Sequence, residues 1–452
     1  MTPLPALPAL TGPFRFERAT IDVNRVALEY RLGADIELAE IVEFPFALPD
    51  SPVVRATVRI LHLVAGVSYY KCVAPTELLT APLLDGERAL LTALYDDGLR
   101  EFAYRNGFTV PLPVDLRESA GPSAAGSPVE SGPPPGSGVL VPVGGGKDSA
   151  LVADLVPDGK LMTVNPTGAH ERFAESLGRP LLGVTRRLDP RLRELVEAGA
   201  PNGHVPVTAI NSAIAAGVAG SLGMRDVVMG LERSASEPSL VVDGVEINHQ
   251  FSKSRRAEEL LAAAFAPLGV RYFSLLRPLT ELAIGTGLAR RGLADAIVSC
   301  NRVFTVWNET TASREQRPCG ECAKCLFTAL MLAPSLDPDT VRTHFGHAVF
   351  DEPGNVEGIR ALWSDEKPFD CVGERLESAA ALALLADTPE WGHHAVVVAL
   401  APEARSLLAA HHTSSQAYLR VDPVDGLPVE YRDRVRELAV EIGARTEPTD
   451  AP

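Results

Sequence analysis

Basic charge and cysteine are both in short supply in this chain. Lys and Arg number 42 against 58 Asp and Glu, a formal net charge of −16 over 452 residues. That acidic excess argues against a protein that holds nucleic acid on a broad basic face. Long apolar runs are missing too: although 46% of residues are hydrophobic, no stretch reaches the length of a membrane span. The start, Met1-Thr2-Pro3-Leu4-Pro5, lacks the basic head and apolar core of a secretion signal. Six cysteines are too few for a disulfide scaffold in so long a chain. Three of them crowd into seven positions, which suits a metal site in a reducing compartment. The expectation is a cytoplasmic protein with neither a nucleic-acid nor a membrane partner, built from two or three domains.

What is present changes character along the chain. From Phe14 to about Leu116 the pattern is α+β. Phe14–Glu17 alternates like a half-buried strand, Val26, Leu28 and Tyr30 share one face of a second, and Pro52–Leu63 and Leu90–Tyr104 have helical spacing. Residues 119–137 are nearly all Gly, Pro, Ala and Ser, and read as a linker. Beyond it, short apolar runs (Val139–Val143, Leu161–Val164, Leu181–Val184, Asp226–Met229, Tyr272–Leu276) alternate with helical patterns. Such alternation predicts a parallel sheet covered on both faces, an α/β fold. The division expected is 1–118, the linker, 138–345 and a mostly helical 346–452, with a polar tail that frays.

The run Val139–Leu151 carries the strongest chemical signal. A strand ends in Gly144, Gly145 and Gly146, followed by Lys147, Asp148, Ser149 and a helical pattern. A loop of this kind offers backbone N–H groups and a helix N-terminus to an anion. It is not a Walker loop, because Asp148 follows Gly146-Lys147 and Val141 stands where the first Gly belongs. Nor is it a dinucleotide fingerprint, because Ser149 replaces the last Gly. Gly144–Ser149 resembles the S-G-G-x-D-S loop of the N-type ATP pyrophosphatases (PP-loop enzymes, HUP-like in fold), which cleave ATP to AMP and pyrophosphate. The resemblance implies that Gly144, Gly145 and Gly146 let the backbone approach the pyrophosphate. Ser149 donates a hydroxyl, Asp148 helps to hold Mg²⁺ and Lys147 offsets developing charge. Gly144 replaces the usual first Ser, so one hydroxyl donor is absent.

Cys319, Cys322 and Cys325 form C-x₂-C-x₂-C, with Cys300 upstream. Four thiolates suit tetrahedral zinc, and closely spaced cysteines also suit an iron–sulfur cluster. The 7-cyano-7-deazaguanine synthases of the PP-loop superfamily look similar here and carry structural zinc.

Polar islands follow the predicted strands: Asn202 to Pro206, Glu232-Arg233-Ser234, Asn248 to Ser254, and Arg277 before a helix start. In open α/β sheets ligands gather at strand C-termini. In the first block, Ser68, Tyr69, Tyr70 and Lys71 read either as lining of a polar pocket or as an amphipathic strand with half-buried tyrosines.

These islands, taken in order with Glu101-Phe102, Asn106-Gly107, Ser299-Cys300-Asn301-Arg302, the cysteine triplet, Lys367-Pro368-Phe369 and Cys371–Glu374, resemble the UDP-N-acetylmuramoyl-L-alanyl-L-glutamate epimerase family. The resemblance spans residues 14 to 380. It implies that the substrate is UDP-MurNAc-L-Ala-L-Glu, and that its terminal glutamate is inverted using ATP and Mg²⁺. Adenylating the carboxylate removes a charge beside Cα, so that a modest base can take the α-proton. His249 and His204 are the first candidates for acid/base, with Glu232, Lys253 and Cys371 behind them. Tyr70, Lys71, Arg233, Lys253 and Arg277 are candidate partners for phosphates and carboxylates. Another adenylating PP-loop enzyme (ligase, amidotransferase or nitrile synthase) remains the alternative reading.

Overall fold

The computed structural model describes residues 12–119, 136–302 and 317–446. Most of the Gly/Pro/Ser stretch and the last residues of the polar tail lie outside the described residues. The strands are β1 Phe14–Asp22, β2 Arg25–Leu32, β3 Ile36–Glu43, β4 Glu77–Thr80, β5 Asp115–Glu118 and β6 Gly138–Pro142. They continue as β7 Lys160–Val164, β8 Leu181–Arg187, β9 Met224–Met229, β10 Leu240–Val242, β11 Val245–Ile247 and β12 Arg271–Ser274. Ten of them make one sheet in the order β12-β9-β6-β7-β8-β3-β2-β1-β4-β5.

The β6-to-β12 half is parallel throughout. The pleat explains why it is apolar on both sides. Leu140, Met162 and Val227 point into one buried cluster, and their neighbours Val141, Leu161 and Val228 into another. The N-terminal strands β1–β3 are antiparallel and extend this sheet, because β3 pairs antiparallel with β8. A buried ion pair reinforces that seam: Arg186 Nε donates to Glu40 Oε1 at 2.6 Å, and its Nη2 donates to Ser68 Oγ at 2.9 Å.

The helix Pro52–Ala65 covers the first block. Its N-terminus is set by Ser51, which accepts from Val54 N, with proline in the first turn. The next segment departs from the strand reading. Val67–Tyr70 is a short helix, wholly buried. Tyr69 and Tyr70 are core residues, stacked or edge-on against Tyr30 and Tyr95. Their hydroxyls are used internally, Tyr69 accepting from Asp189 N at 3.1 Å and Tyr70 donating to Pro75 O at 2.9 Å.

The topology places the glycine loop. From β6 the chain moves through β7 and β8 to one side, then returns through β9 and β12 on the other. The C-terminal end of β6 therefore lies at the point where strand order reverses, the place where open α/β sheets hold ligands. After β12 the chain is mainly helical. The helices Ala323–Leu332, Arg375–Ala386 and Ala395–Ala410 share a separate core. Val429–Ile442 returns to the sheet, where Tyr431 donates to Asp226 Oδ2 at 2.8 Å. No helix among the described residues is long and apolar enough to cross a membrane.

Candidate active site

The loop turns sharply out of β6. Gly145 has φ +74°, a conformation that favours glycine. Gly144 is exposed and faces open space. Ser149 Oγ closes the turn, accepting from Gly144 N at 3.1 Å and donating to Gly146 O at 3.2 Å. The end of β9 packs tightly beneath: a Cβ on Gly230 would sit 2.9 Å from the Asp148 backbone. The helix Lys147–Leu155 then starts with Asp148 in its first turn. A glycine turn with Gly144 exposed, at a helix N-terminus and a strand switch point, fits a phosphate-bearing ligand.

Lys147 points inward. Its ammonium is buried, pairs with Asp148, contacts Glu281 Oε2 at 2.5 Å and lies 5.8 Å from the Phe327 ring centroid. Burial opposes its charge, but Asp148, Glu281 and Glu232 outweigh burial and raise its pKa. Burial first, then Asp148 and Glu232, push Glu281 up to about 7. Ser234 donates to the other Glu281 oxygen at 2.6 Å. Lys147 therefore has its charge balanced within the protein, and the oxygen-rich group around it sits where the loop meets β9.

Lys253 continues this chain of charge. Its Nζ lies 3.5 Å from Glu232 Oε1. Burial works against its charge, yet Cys371, Glu232 and Asp148 hold it protonated. Arg277 is less free than expected. It donates to Glu258 Oε2 at 2.8 Å, to Glu232 O at 2.6 Å and to Lys253 O at 2.9 Å, so it braces the backbone beneath both residues. Arg233 is half-buried between Glu374 and Asp422.

Beyond Lys253 lies a histidine–cysteine corner. The His204 and His249 rings lie with centroids 4.1 Å apart, tilted by 38°. His249 Nδ1 donates to Glu101 Oε2 at 2.6 Å. Burial lowers the His249 pKa, but Cys371 and Glu101 overcome it and bring the ring up to about 9. Burial lowers His204, reinforced by His249, Lys71 and Lys253, to about 3. Burial raises the Cys371 thiol, yet Lys253 and His249 bring it down to about 6. Lys71 reaches the same corner, donating to Asn202 Oδ1 at 2.5 Å and Gly203 O at 3.3 Å.

Among the expected site residues, the structure gathers Asp148, Lys147, Glu232, Lys253, His204, His249, Lys71 and Asn202 into one contiguous region. Tyr69, Tyr70 and Ser68 are withdrawn from the pocket, because their polar atoms complete the fold. Glu101 was absent from the expected site, and Cys371 ranked behind the histidines. Spacing could not find either, since the helix Arg100–Arg105 and residue 371 meet His249 only in three dimensions. Glu281 likewise arrives from the start of a helix far along the chain.

The four cysteines do come together. The thiols of Cys300, Cys319, Cys322 and Cys325 lie within 4.8 Å of one another. Cys319 and Cys325 sulfurs are 3.8 Å apart, the spacing that Zn–S bonds of about 2.3 Å impose at tetrahedral angles. This cluster could hold a metal. It also backs the glycine loop: Val298 N donates to Gly145 O at 2.7 Å, and a Cβ on Gly146 would meet Ser299 Oγ at 3.7 Å.

Two family models match. One, described as the MurL N-terminal domain, covers residues 8–275, the span that forms the ten-stranded sheet; the other, the MurL C-terminal domain, covers residues 296–415. The chain is 40% identical over 410 residues to a UDP-N-acetyl-alpha-D-muramoyl-L-alanyl-L-glutamate epimerase of Salinispora tropica, covering 86% of this chain and 88% of the relative. It is 40% identical to one of the same name from a Micromonospora species (86% and 90% covered). A third, from Xanthomonas oryzae pv. oryzae, is 36% identical over 446 residues (94% and 96% covered). No solved structure matches the chain. Matches of this extent show that the chain belongs to the UDP-N-acetyl-alpha-D-muramoyl-L-alanyl-L-glutamate epimerase family.

Proposed function

We propose that this protein inverts the terminal L-glutamate of UDP-MurNAc-L-Ala-L-Glu to D-glutamate, consuming ATP through an acyl-adenylate and releasing AMP and pyrophosphate. One observation carries the reading. Lys253 lies 3.5 Å from Glu232, and this pair bears electrostatically on Lys147 of the loop and on His204 of the corner, which supports an activating loop and proton-transferring groups acting together.

The order of chemistry follows from charge. Removing a proton beside a carboxylate would put two negative charges on one small group. The loop backbone at Gly144–Gly146 receives the phosphates, with the helix N-terminus favouring negative charge there. Asp148 is the residue that would hold Mg²⁺, which neutralises phosphate charge. The substrate carboxylate displaces pyrophosphate at the α-phosphorus, and the carbonyl becomes electron-withdrawing. Lys253, held protonated, would favour the electron-rich state after proton loss. The acid/base groups come from the corner, His249 and His204 among them. Water then hydrolyses the adenylate. Lys71, Asn202 and Arg233 are proposed to contact the substrate. The four-cysteine cluster is proposed to hold zinc as a brace for the Ser299–Cys300 segment.

The test is stereochemical. The purified protein is incubated with UDP-MurNAc-L-Ala-L-Glu, ATP and Mg²⁺, the product hydrolysed, and the glutamate resolved. D-glutamate appearing with AMP and pyrophosphate is the expected result; L-glutamate alone from folded protein rejects the reading.

A further inference from the structure

Glu101 enters the corner from a helix that braces both histidine-bearing segments. The helix Arg100–Arg105 is tied at its start to β11, where Arg100 Nη1 donates to Glu246 O at 3.2 Å, just ahead of His249. At its end Asn106 Nδ2 donates to Asn202 O at 3.1 Å, on the segment that carries His204. The His249 backbone is fixed separately, its N–H donating to Ser239 Oγ at 3.2 Å. Between these ties the Glu101 carboxylate meets the ring, with Oε2 2.6 Å from Nδ1. Glu101 is buried, and its other oxygen lies 3.7 Å from the exposed Arg105. A short charge-assisted bond of this kind fixes the rotation and the tautomer of an imidazole. Because Nδ1 is engaged, any proton that His249 exchanges passes through Nε2. A carboxylate at Nδ1 also favours the doubly protonated ring, and with Cys371 it keeps the proton on His249 at neutral pH.

We propose that Glu101 is a positioning residue for His249, holding Nδ1 so that Nε2 is the ring atom that delivers a proton to Cα of the activated glutamate; this rests on the epimerase reading above. Once the α-proton has gone, the electron pair is shared between Cα and the acyl carbonyl. The His249 Nε2–H bond breaks as the Cα–H bond forms on the face that gives the D-centre, and the pair returns from the carbonyl to Cα. The neutral ring keeps its Nδ1 proton on Glu101 and regains the Nε2 proton from water. The titratable groups facing the ring are Glu101, His204, Asp370 and Cys371. The His204 ring is 4.1 Å away, and burial with Lys71 and Lys253 nearby keeps it neutral, so the two rings offer one proton donor and not two. Glu101, His204 and His249 also offer ligand atoms within 4.8 Å of one another, but Lys71 and Lys253 oppose a cation there.

The full-length protein is assayed with UDP-MurNAc-L-Ala-L-Glu, ATP and Mg²⁺, and D-glutamate and AMP are measured together. Glu101→Gln, which keeps the size and removes the charge, is expected to lower D-glutamate per AMP by about 100-fold, with KM within about twofold of wild type. His249→Asn is expected to show the same split. Glu101→Asp, which keeps the charge on a shorter stem, falls between Glu101→Gln and wild type, and keeps the test should Glu101→Gln not fold. Because Glu101 acts through the ring, Glu101→Gln is expected to add less than about twofold to the loss in His249→Asn. A bare structural brace predicts otherwise: AMP and D-glutamate fall together, and the losses in the double variant multiply. Either result overturns the positioning role and leaves the epimerase reading standing. So does a second tightly bound metal ion per chain that Glu101→Gln releases, because the three side chains are then a ligand set. Wild-type protein that makes no D-glutamate overturns both.

Discussion

The glycine loop and the histidine–cysteine corner sit at opposite ends of the candidate site and are made in opposite ways. The loop is six consecutive residues. Its shape follows from local rules: a strand end, glycines that permit the turn, a helix start. The corner draws Glu101, His204, His249, Lys253 and Cys371 from separate segments. Nothing in the local sequence of any one makes it reactive. The difference extends to electrostatics. At the loop, Lys147 is matched by Asp148 and Glu281, so an anion placed there would meet backbone dipoles more than a free cation. In the corner the charges are matched across elements, and each pKa depends on a partner elsewhere in the chain.

The largest expected effect separates the two ends. Asp148→Ala removes a charge at the loop and leaves the His249–Glu101 hydrogen bond of the corner in place. Pyrophosphate release is expected to fall by about 100- to 1000-fold. Pyrophosphate release that survives the substitution takes the loop out of the mechanism.

The cysteine cluster touches both ends, so its removal tests whether they are independent. Ser299 and Val298 lean on the loop, and Asn301 holds Asp370 beside Cys371. Elemental analysis is expected to find about one zinc per chain, the metal that four thiolates in this geometry suit. Chelation or Cys322→Ser is expected to lower the melting temperature and to slow pyrophosphate release and Cα exchange together. A metal-free protein with wild-type melting and turnover disconnects the cluster from the site.

A smaller effect belongs to the corner alone. His249, raised above its ordinary 6.5, contributes stability in full below that value and loses it as pH rises through about 9. Cys371, lowered from its ordinary 9.0, contributes in full above that value and loses it as pH falls through about 6. Both groups are charged between these limits, so the epimerisation rate should be bell-shaped, with limbs near 6 and 9. Glu101→Gln removes one raising influence on His249. The upper limb should move down by about one pH unit, measured as kcat/KM from pH 5 to 10. An unmoved limb means that Glu101 does not govern His249.

Legibility follows the same division. The parallel strands, their helices and the loop could be read because apolar runs and glycine spacing are local. Strand β3 pairing with β8, which merges the first block into the later sheet, could not be read, since pairing partners lie far apart in sequence. His204 and His249 were visible as residue types with suitable chemistry. Glu101 and Cys371 acquire their meaning only from the contact that burial forces on them. Ser68, Tyr69 and Tyr70 misled for the converse reason: polar atoms in an island look available until the fold consumes them.

That last point gives the smallest test. Tyr69→Phe removes the hydroxyl that accepts from Asp189 N at 3.1 Å and leaves the ring stacked on Tyr30. The loss is expected to be about 1 kcal/mol of stability, the value of one net hydrogen bond, seen as a lower urea midpoint. KM for the UDP-linked substrate should not change, because the hydroxyl faces the protein. Lys71→Met, two residues on, should raise KM through Asn202 with little change in the urea midpoint. If Tyr69→Phe raises KM as much as Lys71→Met does, the tyrosine is part of the pocket and the line between core and site must be moved inward to include it.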